Sequence, residues 1–176
     1  MNGIVILLTG LPGAGKTTLS RALTREIEQN QAREVTLLDG DEVRQLLSSE
    51  LGYSREHRRL NVLRHSFIAA ELSRYGAAVI CALIALYAAD RAEMRYMASA
   101  RGRFVEVYVS TPLAVCEQRD PKGLYARARA GKLMHMTGID DPYEVPQQPE
   151  IELDTSKLPV SECVNRIAAY LKTIPA

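Results

Sequence analysis

Neither sign of charge dominates this chain: Lys plus Arg number 22 against 21 Asp plus Glu, a formal net charge of +1. Nonspecific nucleic-acid binding needs a strongly basic surface, so the balance gives that class no support. Cysteine is scarce. Cys81, Cys116 and Cys163 lie far apart, with no CxxC or Cys/His spacing, which excludes a disulfide framework and a zinc ribbon. Unpaired cysteines suit a reducing compartment, so the expected location is the cytoplasm. Long apolar runs are also missing. The stretch Ile4–Leu8 is five residues long without a basic flank, whereas a membrane span takes about 20 apolar residues. It reads as neither a signal peptide nor a membrane segment. No internal repeat and no low-complexity tract is present.

What is there fits one α/β domain spanning residues 1–176, with 47% apolar and 24% charged residues, ordinary globular usage. Ile4–Leu8 is a continuous β-branched and apolar run, as expected of a strand buried on both faces. Leu19, Ala22, Leu23 and Ile27 then recur at helical spacing. Strands are expected at 35–38, 77–83 and 104–109. Helices are expected from about Arg55 to Tyr75, with Leu60, Leu63, Phe67 and Leu72 on one side, and around Val160, Val164, Ile167 and Leu171. Asp90-Arg91-Ala92-Glu93 reads as a capping box, and Thr111-Pro112 as an N-cap followed by proline at the first helical position. Strands alternating with helices imply βαβ units and a mostly parallel sheet. The stretch from about 120 to 150 breaks this rhythm with Pro121, Pro142, Pro146 and Pro149 and the basic Lys122, Arg127, Arg129 and Lys132. A long irregular excursion in a compact domain is usually functional, here an active-site lid.

The strongest chemical signal is Gly10-Leu11-Pro12-Gly13-Ala14-Gly15-Lys16-Thr17, a full match to G-x-x-x-x-G-K-S/T between an expected strand and an expected helix. Glycines let backbone N–H groups converge on phosphate oxygens, and the helix N-terminus adds partial positive charge. Lys16 can bridge β- and γ-phosphates, the Thr17 hydroxyl can coordinate Mg²⁺, and Thr18 continues the cradle. The motif implies a P-loop NTPase-type three-layer αβα sandwich that binds ATP. It does not name an acceptor, but a guanine-reading N-K-x-D motif is missing. A short chain with a basic lid favours a kinase that closes over a small molecule.

The second strand ends in Asp39-Gly40-Asp41-Glu42-Val43-Arg44. Ligands of open α/β sheets sit beyond the carboxyl ends of the strands, which brings these carboxylates near the P-loop. An acceptor hydroxyl needs an oriented base. Asp41 is the candidate, with Asp39 holding the metal's water shell; a turn with helix-capping aspartates is the competing reading.

GLPGAGKTT, LLDGDEVR, LGYSREHRRLN, FVEVYVSTPLAVCEQRDPKGLYARARAGK and TGIDDPYEVPQQPEI together resemble the adenylylsulfate kinase family over nearly the whole chain. The resemblance implies transfer of the ATP γ-phosphate to the ribose 3′-hydroxyl of adenosine 5′-phosphosulfate (APS), with Mg²⁺, in sulfate assimilation. It implies a homodimer and an association with ATP sulfurylase. It also implies that Arg44, Arg58 and Asn61 hold the phosphosulfate and that Tyr53 stacks on the acceptor adenine. By the same resemblance the Ile84 backbone and Met136 face that base, Lys122 meets the sulfate or the transferring phosphate, and Arg119 lies near the ATP adenine. Guanidinium forks suit such doubly anionic groups. His57, His65 and His135 form no metal or nucleophilic pattern.

Two departures lie on the base side. Ile84-Ala85-Leu86-Tyr87 stands where many members have Ile-Ser-Pro-Tyr/Phe, and Met136 stands where they have Phe. They keep two alternatives open, an enzyme of this kind acting on another nucleotide and a non-catalytic nucleotide-binding module. Ala85 has no hydroxyl, so transfer is expected to be direct. Incubation with γ-labelled ATP should leave no label on the denatured protein; label that survives denaturation would contradict direct transfer.

Overall fold

The computed structural model describes residues 3–30 and 33–174. The ends of the expected 1–176 domain lie outside them. In chain order the elements are β1 (Ile4–Thr9), α1 (Lys16–Asn30), β2 (Val35–Asp39), α2 (Gly40–Leu47), α3 (Arg55–Arg74) and β3 (Ala78–Ala82). They continue with α4 (Ala88–Ser99), β4 (Arg103–Val109), α5 (Leu113–Arg119), α6 (Leu124–Arg129), β5 (Ile151–Leu153) and α7 (Val160–Thr173). The five strands form one sheet in the order β2-β3-β1-β4-β5, and every pairing is parallel.

The unbroken apolar run of β1 follows from its central place, since successive side chains of a strand point to opposite faces. Ile4, Ile6 and Leu8 belong to a core with Leu19, Leu23 and Ile27 of α1 and Val164 and Ile167 of α7. Val5 and Leu7 face the other way, into a core with Val62 and Ala69 of α3 and Met94 and Ala98 of α4. Both faces are thus covered by helices, giving the three expected layers.

Several local expectations change. α4 begins at Ala88, so Asp90 is inside its first turn and caps nothing. The helix receives its cap from a distant part of the chain, because the Ala88 amide donates to Glu144 Oε2 at 2.7 Å. Thr111 is not the N-cap of α5, whose first carbonyl is that of Pro112. Its hydroxyl donates instead to the Ala14 carbonyl at 3.1 Å.

In α3 the buried face carries Arg58, Asn61, His65 and Ser66 besides Val62, Ala69 and Ala70. Leu60 and Phe67, of the stripe expected on one side, point outward, Phe67 being 61% exposed. Helical spacing identifies a stripe, but the polar groups that face the sheet end decide which stripe is covered. The segment at 120–150 is more ordered than an irregular excursion. It contains α6, a bridge between Thr137 and Asp141, and the lead into β5, an edge strand three residues long.

Ion pairs pin this strap to the sheet. Arg91, 4% exposed, contacts Glu106 Oε1 at 2.9 Å and donates to the carbonyls of Ala85 at 2.7 Å and Glu144 at 2.6 Å. Arg95 pairs with Glu150 at 2.6 Å, and Glu150 Oε2 also accepts from the Glu106 amide at 2.6 Å.

Candidate active site

The P-loop follows β1 at the carboxyl edge of the sheet and opens α1. Gly10 has φ 154°, and a Cβ there would meet the Val109 carbonyl oxygen at 2.5 Å; Gly13 has φ 76° and a Cβ there would stand 3.0 Å from the Cys116 carbonyl oxygen. Only glycine lets the loop pass this close to its neighbours. Gly13, Gly15, Lys16, Thr17 and Thr18 line a cleft of about 750 Å³ together with Asp39, Asp41, Arg119 and Lys122.

Three further P-loop positions act from behind. The Gly10 and Leu11 carbonyls accept from Lys16 Nζ at 2.9 and 2.8 Å. The Ala14 carbonyl accepts from Thr155 Oγ1 at 2.8 Å as well as from Thr111. Burial pushes the Lys16 ammonium down to about 8, partly offset by nearby Cys116, Asp41 and Asp39.

Asp39 ends β2 and caps α2. Its Oδ1 accepts from the Asp41 amide at 3.0 Å and its Oδ2 from the Thr17 hydroxyl at 2.9 Å. This carboxylate therefore caps a helix and also sits beside the P-loop threonine. Asp41, one residue into α2, is exposed and pairs with Lys122 from the strap. Arg119 donates to Thr155 Oγ1 at 2.8 Å and to the Thr155 carbonyl at 2.9 Å, at the rim of the same cleft.

A second cavity adjoins the first across Gly40 and Asp41, which line both. Its walls include Pro12, Arg44, Tyr53, Arg58, Asn61, Ile84 and Met136. Arg44 Nη1 donates to the Leu51 and Gly52 carbonyls at 3.0 Å each, and its guanidinium lies 4.7 Å from the Tyr53 ring centre. Arg58 is 7% exposed; Nε donates to the Tyr53 carbonyl at 3.0 Å and Nη2 pairs with Asp141 at 3.1 Å. The guanidinium that sequence analysis assigned to a ligand therefore also ties α3 to the strap. The Asn61 Oδ1 is buried with no hydrogen-bond partner among the described residues.

The Ile84 carbonyl accepts from the Thr9 hydroxyl at 2.6 Å, and Ala85 adopts φ 44° with its carbonyl held by Arg91. Met136 is buried, its carbonyl accepting from the Ile139, Asp140 and Asp141 amides.

A family model described as adenylylsulphate kinase matches residues 2–154. The chain belongs to the adenylylsulfate kinase family. It is 48% identical over 171 residues to an adenylyl-sulfate kinase of Synechococcus sp. (strain JA-3-3Ab), covering 97% of this chain and 95% of that one. A solved APS kinase of Mycobacterium tuberculosis, in complex with AMPPNP and APS, superposes with a TM-score of 0.93 at 37% identity, over 98% of this chain and 99% of that one. A sulfate adenylyltransferase of Aspergillus oryzae is 46% identical over 171 residues; these are 97% of this chain and 30% of that larger protein.

Residues to which sequence analysis gave no site role support the second cavity and the P-loop. His135 lines the cavity, and its carbonyl accepts from Arg58 Nη2. Tyr125 donates its hydroxyl to the Pro12 carbonyl at 2.8 Å, joining α6 to the P-loop. Asp120 caps α6 through the Tyr125 and Ala126 amides at 3.1 and 2.9 Å, and these hold its carboxyl below the usual range. His57 Nδ1 accepts from the Gly52 amide at 2.8 Å, steadying the turn before Tyr53. Only Asp120 carried a local signal, an acidic residue just before a helical stretch.

The lowered Lys16 value has a measurable consequence. In the free protein the ammonium is charged below about pH 8 and loses its proton as pH rises through that value, while bound phosphates favour the charged form. kcat/KM for the nucleotide should therefore decline above pH 8, with kcat declining only at higher pH. A kcat/KM flat between pH 7 and about pH 9.5 would contradict a neutralisable Lys16.

Proposed function

We propose that this chain transfers the γ-phosphoryl group of ATP to the ribose 3′-hydroxyl of APS, giving 3′-phosphoadenosine 5′-phosphosulfate and ADP. One observation carries the reading: a P-loop cleft and an arginine-lined cavity meet at Gly40-Asp41, where an exposed carboxylate borders both. Such a junction is where a donor phosphate and an acceptor hydroxyl would come together.

In this reading the triphosphate lies on the P-loop amides with Lys16 at its β- and γ-oxygens. The acceptor lies between Tyr53 and Met136, its phosphosulfate toward Arg44, Arg58 and Asn61 and its adenine near the Ile84 backbone. Its 3′-oxygen forms the new bond to γ-phosphorus as the bond to the β–γ bridging oxygen breaks, the electron pair leaving with ADP. Asp41 receives the hydroxyl proton. A carboxylate has several lone-pair sites, so its pairing with Lys122 does not preclude that role. Lys122 brings positive charge to the transferring group, and Arg119 stands where the ATP adenine would lie. Thr17 and Asp39, joined at 2.9 Å, supply the hard oxygens that suit a hydrated Mg²⁺. Among the described residues no group of three or more His, Cys, Asp or Glu is placed to hold a metal, which suits an ion bound mainly by phosphates and water. When bound, that ion neutralises charge on the β- and γ-oxygens.

The same reading places the enzyme in the cytoplasm, serving sulfate activation. No described helix is long and apolar enough to cross a membrane. Outward-facing Leu60 and Phe67, seven residues apart on α3, give apolar support to a homodimer. The match within a sulfate adenylyltransferase supports an association with a sulfurylase.

Coupled ADP release measured with APS and a panel of other nucleotides tests the acceptor. Saturable turnover with APS well above the rest is expected; turnover confined to another nucleotide would replace this reading, and none at all would leave a binding module. Lys16→Ala should lower kcat by roughly 10²–10³. Asp41→Asn should lower kcat by about 10²–10⁴ with little change in the KM for APS. An effect confined to that KM would make Asp41 a binding residue.

A further inference from the structure

Asp90 is the one acidic side chain of the acceptor cavity that the proposed reaction does not use. It stands in the first turn of α4, is 6% exposed, and shares the cavity with Asn61, Ile84 and Ala85. No described residue donates a hydrogen bond to its carboxylate or pairs with it as an ion. The helix start does not need it, because Glu144 caps the Ala88 amide. The two cations that act on it electrostatically also have other partners: Arg59 pairs with Glu93 at 2.7 Å, and Arg55 lies 4.6 Å from the Tyr87 ring centre. Burial raises its carboxyl above the usual range, as Glu93 and Glu144 also do, against the pull of Arg59 and Arg55. A carboxylate on the cavity wall that no described residue hydrogen-bonds is open to a donor from outside the chain.

An acceptor on the cavity wall with no donor of its own specifies a ligand edge that carries N–H groups. Of the acceptor's parts, the phosphosulfate and the ribose oxygens are drawn to the arginines and to Asp41. Only the exocyclic amine of a 6-aminopurine offers neutral N–H donors at the other end.

We propose that Asp90 selects the acceptor's base, accepting a hydrogen bond from the purine 6-amino group and repelling the oxygen of a 6-oxopurine. The inference rests on the reading of this cavity as the acceptor site. A site built to receive a hydrogen bond discriminates strongly against an analogue that lacks the donor.

The test compares kcat/KM for APS with that for its hypoxanthine counterpart, in the wild type and in Asp90→Asn. The wild type should favour APS by at least about 100-fold. Asp90→Asn, whose amide can donate to a 6-oxo group, should shrink that ratio at least about tenfold and leave the KM for ATP unchanged. A ratio unchanged within about a factor of two overturns the proposal, even if the variant is less stable, since a merely structural role would not move base preference. The wild type alone supplies a second measurement that needs no variant. The APS analogue with an unsubstituted purine ring, smaller and without the amine, should lose at least about tenfold in kcat/KM; equal use of the two overturns the proposal. If the wild type turned over neither APS nor its analogues, the acceptor reading itself would fall and this inference with it. APS turnover with an unmoved ratio would remove Asp90 alone.

Discussion

The carboxylate of Asp39 accepts from the Thr17 hydroxyl with one oxygen and from the Asp41 amide with the other, and the geometry of the whole site hangs from those two bonds. One joins the end of β2 to the first turn of α1, which carries the P-loop. The other fixes the start of α2, and with it Gly40 and Asp41 at the boundary of the two cavities. Asp39 is buried, so both bonds form where water competes little and an unmade bond would be costly. The P-loop cleft and the second cavity are therefore set relative to each other by one side chain on a rigid strand.

Lys16 shows the same economy of placement. Its ammonium is satisfied by the Gly10 and Leu11 carbonyls, so the P-loop keeps its lysine over the cradle before any phosphate arrives. The hydroxyls of Thr111 and Thr155 hold the Ala14 carbonyl from the opposite side. A loop gripped on both sides keeps its amides converged, and such preorganisation is what makes electrostatic stabilisation effective.

The strap depends on a different kind of force. Arg91, Glu106, Arg95 and Glu150 form a half-buried ion network that anchors its return to β4, while Arg58 holds His135 and Asp141. Breaking a buried pair by removing one partner typically costs about 3–5 kcal/mol, because a desolvated charge is left behind. The strap is thus fixed at both of its approaches to the cavity. The three non-glycine residues with positive φ among those described, Ala85, Asp120 and His135, all lie beside the clefts, where backbone strain commonly accumulates at functional sites.

The chemistry of the nucleotide side was legible in the residues alone, because its signals are local. A P-loop is contiguous, a buried parallel strand reads as an unbroken apolar run, and Asp39-Gly40-Asp41 follows a strand directly. The acceptor side was legible only through long family-specific stretches, and its supports were not. β5 is too short to show periodicity, and α2 begins at a glycine, so propensity was silent on both. The cap of α4 comes from Glu144 and the tether of Arg58 from Asp141, each joining residues far apart in the chain. Local pattern therefore determined which segments would be strands, helices and phosphate cradle. Only the folded chain decided which stripe of α3 was covered, which carboxylates were partnered and where two cavities met, because those outcomes depend on desolvation and contact between segments that no window of sequence contains.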